Sequence, residues 1–179
     1  MTFALNPLLV ASQWLSQFSA ALHDGDTKAF VDLFLSDGWL RDILVFTWDI
    51  RALEGREKIS TYVTNRLSVP QITNVQLDEA HDLAPHTCEI PVSRTLGVEF
   101  AFTFENTHGH GRGHVRLARD ADDAYRAFTV FTELVDIRGH EELKSIPPRD
   151  DAGVRRSEAG PHVIIGELRG VTAVVLFAD

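Results

Sequence analysis

The sequence predicts an α+β fold, a cone-shaped roll in which a curved, mostly antiparallel sheet packs on three N-terminal helices. Two observations lead there. Up to Leu67, apart from one strand-like stretch near Trp39 to Ile50, the apolar residues recur at helical spacing, whereas from Ile72 to Ile137 the segments read as strands, rich in β-branched and aromatic side chains. Helices first and strands afterwards is the order of an α+β chain. The length of 179 residues, 44% of them apolar, suffices for one well-buried core and is short for two full domains. A sheet curled around its own helices leaves a cone open at one end, and pockets form in such mouths.

Asn6-Pro7 is a helix start: a side-chain cap followed by a proline whose missing N–H costs nothing there. Ala11, Trp14, Leu15, Phe18, Ala21 and Leu22 form one apolar stripe, and Gly25 suits the left-handed residue after the helix end. Asp26 caps a short second helix with Phe30, Leu33 and Phe34 facing inward, and Ser36-Asp37-Gly38 reads as a turn. A strand is expected from about Trp39 to Ile50. Gly55 to Leu67 reads as a third helix burying Ile59, Tyr62, Val63 and Leu67, broken at Pro70. Strands follow at Ile72 to Leu77 and, interrupted by Pro91, at Thr87 to Val92. Leu96 to Glu105 places Val98, Phe100, Phe102 and Phe104 on one face. A Gly-His turn, Val115 to Arg119, a connection at Asp120 to Asp123, and a long strand from Tyr125 to Ile137 complete the sheet.

The formal charge of −9 argues against nucleic acid and anionic membrane as partners, because both need a basic footprint. The one cysteine, Cys88, forms no intrachain disulfide and has no basic neighbour to activate it. Neither a signal peptide nor a run of roughly 20 apolar residues is present, so the expected location is the cytosol.

The stretch from Asp37 to Arg56 organises the chain. It carries Trp39, Trp48, Asp42 and Arg41 among aliphatic residues, an ionisable pair beside large aromatics, as in a small-molecule pocket. By alternation Asp42 would share a face with Leu44, Phe46 and Trp48, and burial there would raise its pKa toward that of a useful base. Against that, Arg41 or Arg51 could clamp it as an inert anion. Trp39, Trp48 and the row through Phe102 are either cavity walls or core and interface. His108, His110 and His114 would share a strand face. The glycines between them instead indicate a mobile turn, so no metal site is expected, and His114 alone is placed to reach a pocket.

Ser16 to Asp26, Phe30 to Phe34, Asp37-Gly-Trp-Leu-Arg-Asp42 and Gly55-Arg-Glu-Lys-Ile59 resemble the nuclear-transport-factor-2-like (SnoaL-like) superfamily. The resemblance implies a cone-shaped α+β fold, often dimeric, used by ketosteroid isomerases, polyketide cyclases and dehydratases. A narrower resemblance, around residues 37–59 within a span of about 10–140, is to the N-terminal region of fungal flavin-containing monooxygenases. The superfamily resemblance puts Asp42 where ketosteroid isomerases hold their general base, and a second acid near His114. Where they place an oxyanion-binding tyrosine on the first helix, this chain has Phe18, which has no proton to donate.

In the monooxygenases the domain precedes a Pro-rich linker and a dinucleotide-binding domain. Residues 141–160, with Pro147-Pro148, read as that linker. Gly160-Pro-His-Val-Ile-Ile-Gly166 resembles the first strand of such a domain, but Leu168 and Val171 stand where the second and third glycines of the phosphate loop belong. Only Glu167 to Gly170 separate two apolar runs, too few for a parallel crossover of about a dozen residues. A hairpin or an added edge strand is the most they can make. Residues 161–179 are therefore expected to be a remnant of a truncated monooxygenase frame, without FAD or NADP binding.

Two functions remain. One is a small-molecule-binding domain acting on an apolar substrate by proton transfer, with Asp42 as base, His114 as partner, and Phe18, Trp39, Arg41, Trp48, Tyr62 and Phe102 around the substrate. The other is a non-catalytic accessory or dimerisation domain, its partner a second copy of the chain. Geometry around Asp42 separates them: an enzyme needs that carboxylate inside a closed cavity and free of an arginine clamp, whereas a dimerisation module needs only an exposed apolar sheet face.

Overall fold

The structure, a computed structural model, describes residues 5–80, 82–91, 94–140, 163–168 and 171–176. The chain divides into two compact units, Met1–Glu142 and Leu143–Asp179. In the first, helices α1 (Pro7–Asp24), α2 (Thr27–Asp32) and α3 (Arg56–Val63) accompany strands β1 (Phe34–Ile43), β2 (Ile50–Glu54), β3 (Thr73–Leu77), β4 (His86–Glu89), β5 (Leu96–Glu105), β6 (Gly109–Arg119) and β7 (Tyr125–Ile137). In the second, β8 (Val163–Leu168) and β9 (Val171–Leu176) pair antiparallel as a two-stranded ribbon. Among the described residues no helix is long and apolar enough to cross a membrane.

Local chemistry sets the helix ends. The Asn6 side chain accepts the Leu9 N–H at 3.2 Å, Pro7 begins α1, and Gly25, at φ +65°, closes it by donating to the carbonyls of Ala21 and Leu22. Asp26 caps α2 through the Ala29 N–H at 2.9 Å. The α1 stripe then packs on the sheet: Trp14 stacks on Phe18, and Phe18 meets Phe102 edge-on at 5.5 Å.

The sheet runs β2-β1-β7-β6-β5-β3, with β4 also pairing β5. All these pairs are antiparallel except β1 with β7, which is parallel. β5, β7 and the ends of α1 lie where the sequence puts them. Three expectations need correction. Ser36 to Gly38 do not form a turn; they lie inside β1, at an irregularity where the register against β7 shifts between Phe34 and Trp39. Phe34 and Leu40, an even number of positions apart, both face the core. Next, β1 ends at Ile43 rather than near Ile50, because Leu44 takes φ +64° and turns the chain into a hairpin with β2. Finally, the Gly-His segment is no mobile turn: β6 already begins at Gly109.

The glycines in β6 have a packing reason. Phe102 lies opposite Gly113 and Phe104 opposite Gly111, and each phenyl ring covers the glycine it faces. A methyl group at either glycine would overlap the ring. The Phe-x-Phe of β5 and the Gly-x-Gly of β6 are thus one cross-strand device, large against none.

Candidate functional site

Register brings one row of side chains to the inner face. Asp42 of β1 lies beside Thr132 of β7, Thr132 beside Gly113 of β6, and Gly113 beside Phe102 of β5. The next row out, Arg41, Phe131, His114 and Ala101, points to the other face, since neighbouring strand positions alternate.

Asp42 is 0% exposed. Its Oδ2 accepts the Tyr62 O–H at 2.8 Å and the Phe46 N–H at 3.2 Å, and its Oδ1 accepts the Thr132 O–H at 2.9 Å. Burial raises its pKa above the ordinary 3.8, and the bonds from Tyr62, Thr132 and Phe46 only partly offset this. The arginine clamp is absent: Arg51 pairs with Asp49, and Arg41 is exposed on the opposite face. Among the described residues no cation pairs with Asp42.

Tyr62 extends the arrangement. Its hydroxyl also bonds Thr47 Oγ1 at 2.9 Å, so Thr47, Tyr62 and Asp42 form a chain. Burial, with the hydrogen bond and charge of Asp42, pushes the phenol up to about 12 against the opposing pull of Thr47. At neutral pH Tyr62 therefore keeps its proton and donates.

The other expected site residues scatter. Phe18 is core, between Trp14, Phe30 and Phe102. Phe102 joins the inner row. Trp39 is 40% exposed, and Trp48, 61% exposed, lies outside on the His108 ring at a centroid distance of 4.8 Å. The shared face of Asp42, Leu44, Phe46 and Trp48 fails because the strand stops before Leu44. His114 does not join Asp42. Its Nε2 bonds Glu99 Oε1 at 2.9 Å on the outer face, where Arg116 bonds the same oxygen at 3.1 Å. Burial lowers the His114 pKa, with Glu99 pulling the other way. Among the described residues no group of three or more His, Cys, Asp or Glu is placed to hold a metal.

Sequence reasoning missed Thr132 and Thr47. Thr132 had a signal: a lone hydroxyl between Val130 and Leu134 on the apolar face of β7. Thr47 had none, because its place depends on the break after Ile43.

Of the two conditions set for an enzyme, Asp42 meets freedom from an arginine clamp, whereas the main recesses of the surface are not lined by Asp42 or Tyr62. Recesses of about 620 and 630 Å³ flank β3, the first lined by Ser12, Ser16, Val75 and Leu77 and the second by Gln76, Asp78 and Thr103. The β1–β2 loop lies against Asp42 through the Phe46 N–H, and Val45 and Phe46 of that loop are both buried in the core.

Comparison with solved structures gives the fold. ActVI-ORFA from Streptomyces coelicolor aligns with 69% of this chain and 93% of its own, at 12% identity and a TM-score of 0.50. A candidate dehydratase of the NTF2-like family from Streptomyces avermitilis aligns over 72% and 95%, at 12% identity and 0.51. An NTF2-like protein with a cystatin-like fold from Novosphingobium aromaticivorans aligns over 73% and 82%, at 13% identity and 0.50. No family model and no curated protein matches the sequence. The fold is the nuclear-transport-factor-2-like α+β cone.

Proposed function

We propose that this chain binds an apolar small molecule and exchanges a proton with it, Asp42 acting as base and Tyr62 as its hydrogen-bond partner. One observation carries the reading: a fully buried carboxylate on the inner face of the cone, held by two hydroxyls and backbone amides, with no cation among the described residues. A carboxylate buried for structure alone is ordinarily paired with Arg or Lys. One desolvated by burial, with no cation beside it and with neutral donors that only partly offset that burial, is balanced nearer its protonated form than an ion-paired carboxylate, which suits it to take a proton from a carbon acid and return it elsewhere.

Tyr62 completes the chemistry. Once Asp42 is protonated, the Tyr62 O–H is released to turn toward negative charge developing on a substrate oxygen. A phenol on α3 would thus supply what Phe18 on α1 cannot. The dyad serves isomerisation, cyclisation or dehydration without FAD or NADP. The cone that the chain shares with a candidate dehydratase suits the last of these. In lineage we place the domain with the N-terminal part of flavin-containing monooxygenases, on the strength of residues 37–59. The second reading, an accessory or dimerisation domain of that lineage, draws on the exposed apolar residues Trp39, Val135 and Ile137 along the sheet.

A thermal-shift screen of wild type and Asp42→Asn against apolar ketones, phenols, FAD and NADPH separates the readings. Stabilisation of wild type by a ketone or phenol, weakened in the variant, is the expected result. Silence throughout would favour the accessory domain, and a shift with FAD would overturn the cofactor-independent reading.

A further inference from the structure

We propose that the β1–β2 loop, residues 44–49, is a built-in plug occupying the ligand site, and that the ligand it stands in for is a ring-bearing apolar molecule with one O–H or N–H donor, such as a phenol. This rests on the reading of Asp42 as the working centre and adds the class of ligand.

The loop behaves as a bound molecule would. Its Val45 and Phe46 side chains are 3% and 5% exposed, while Trp48 three positions from Val45 is 61% exposed. Phe46 offers Asp42 the two things an aromatic ligand would offer. It donates its N–H to Oδ2 at 3.2 Å, and it sets its ring edge-on to Phe30 at 6.1 Å. A phenol presents the same pair, a donor to the carboxylate and a ring to an aromatic wall.

The plug is also held in a way that can be undone. Leu44 sits at φ +64°, where a branched side chain is disfavoured, so leaving that conformation relieves strain. The hairpin is closed by the Leu44 N–H to the Asp49 carbonyl at 3.3 Å. Its further anchors are side-chain contacts: Thr47 to the Tyr62 hydroxyl at 2.9 Å, and Trp48 on His108. Tyr62 is the residue that also donates to Asp42. A ligand that draws the Asp42–Tyr62 pair to itself therefore weakens two loop anchors at once, Phe46 to Asp42 and Thr47 to Tyr62. Ligand and plug compete for one set of partners. The apparent affinity of the closed protein is reduced by the small fraction of open molecules.

The test titrates the full chain calorimetrically with phenol and with toluene, which has the ring but no donor, and follows amide hydrogen exchange across residues 44–49. Saturating phenol should accelerate exchange of the Phe46 amide at least roughly tenfold, since its acceptor is taken. Phe46→Ala should tighten phenol by roughly tenfold to a hundredfold, the advantage the buried ring gave the closed state. Phe46→Leu should act in the same direction with smaller amplitude, and it serves if the alanine variant does not fold. Phenol should outcompete toluene in both, and Asp42→Asn should narrow that preference, because a neutral amide oxygen accepts the phenol O–H more weakly than a carboxylate does. Unchanged Phe46 exchange at saturating phenol, or no tightening in either Phe46 variant, overturns the plug. If phenol still depends on Asp42 in that case, the reading of Asp42 stands by itself. Tightening with no sensitivity to Asp42→Asn overturns the ligand class and the Asp42 reading together.

Discussion

Asp42→Leu should destabilise the domain by about 3 kcal/mol, while Asp42→Asn should leave it as stable as wild type in acid and more stable at neutral pH. Leucine fills the space but accepts nothing. It leaves the Phe46 N–H and the Thr132 O–H buried without their acceptor, each worth about 1–3 kcal/mol, whereas Tyr62 keeps Thr47. Asparagine can serve every partner: its carbonyl accepts from Tyr62 and Phe46, and its amide donates to the Thr132 hydroxyl. The pH dependence follows from burial. The folded pKa of Asp42 lies above the ordinary 3.8, so between those two values the folded state holds more protons than the unfolded state. Its contribution to stability therefore falls as pH rises from 3.8 through the folded pKa, and is flat beyond. Asparagine carries no such penalty, so its advantage should be greatest at neutral pH and close on acidification. Urea denaturation of both variants and wild type at a series of pH values reads all three trends.

Gly113→Ala should be the second large effect, again about 3 kcal/mol, for a change of one methyl group. The added carbon would overlap the Phe102 ring, which is itself pinned by Phe18 at 5.5 Å and Phe104 at 6.0 Å and cannot step aside without moving them. Adding Phe102→Leu should recover much of the loss, because a smaller side chain vacates the space the methyl needs. A double-mutant cycle measured by denaturation tests this. Additive losses would mean the ring and the glycine do not share that space.

What the sequence discloses here is what local chemistry dictates. Asn6-Pro7 and Gly25 bound α1 because caps act over three or four residues, and Leu96 to Glu105 declares itself by alternation. The break after Ile43 is invisible: Leu44-Val-Phe-Thr-Trp is a good strand by composition, and only the tertiary demand to bury Val45 and Phe46 turns it out of the sheet. The opposite error arises at Gly109 to Gly113, where glycines that signal a turn in isolation are instead strand positions under phenyl rings. Asp42 stood out as an anion in an apolar run. Its partners did not, because Tyr62 is 20 residues away and Thr132 is 90. His114 was placed with Asp42 by analogy of position, and the strand register puts it one row over, on the other face.

In the function we propose, Asp42 is a carboxylate poised to exchange a proton rather than a buried anion locked for structure. Carbon-detected NMR titration of the side-chain carboxyl, assigned by its disappearance in Asp42→Asn, tests it most directly. Titration clearly above the ordinary 3.8, moved by burial and not by any cation, is the expected result. A titration at or below 3.8 would mean that the donors of Tyr62, Thr132 and Phe46 outweigh burial and fix the charge, and Asp42 would then be a structural anion with no proton to trade.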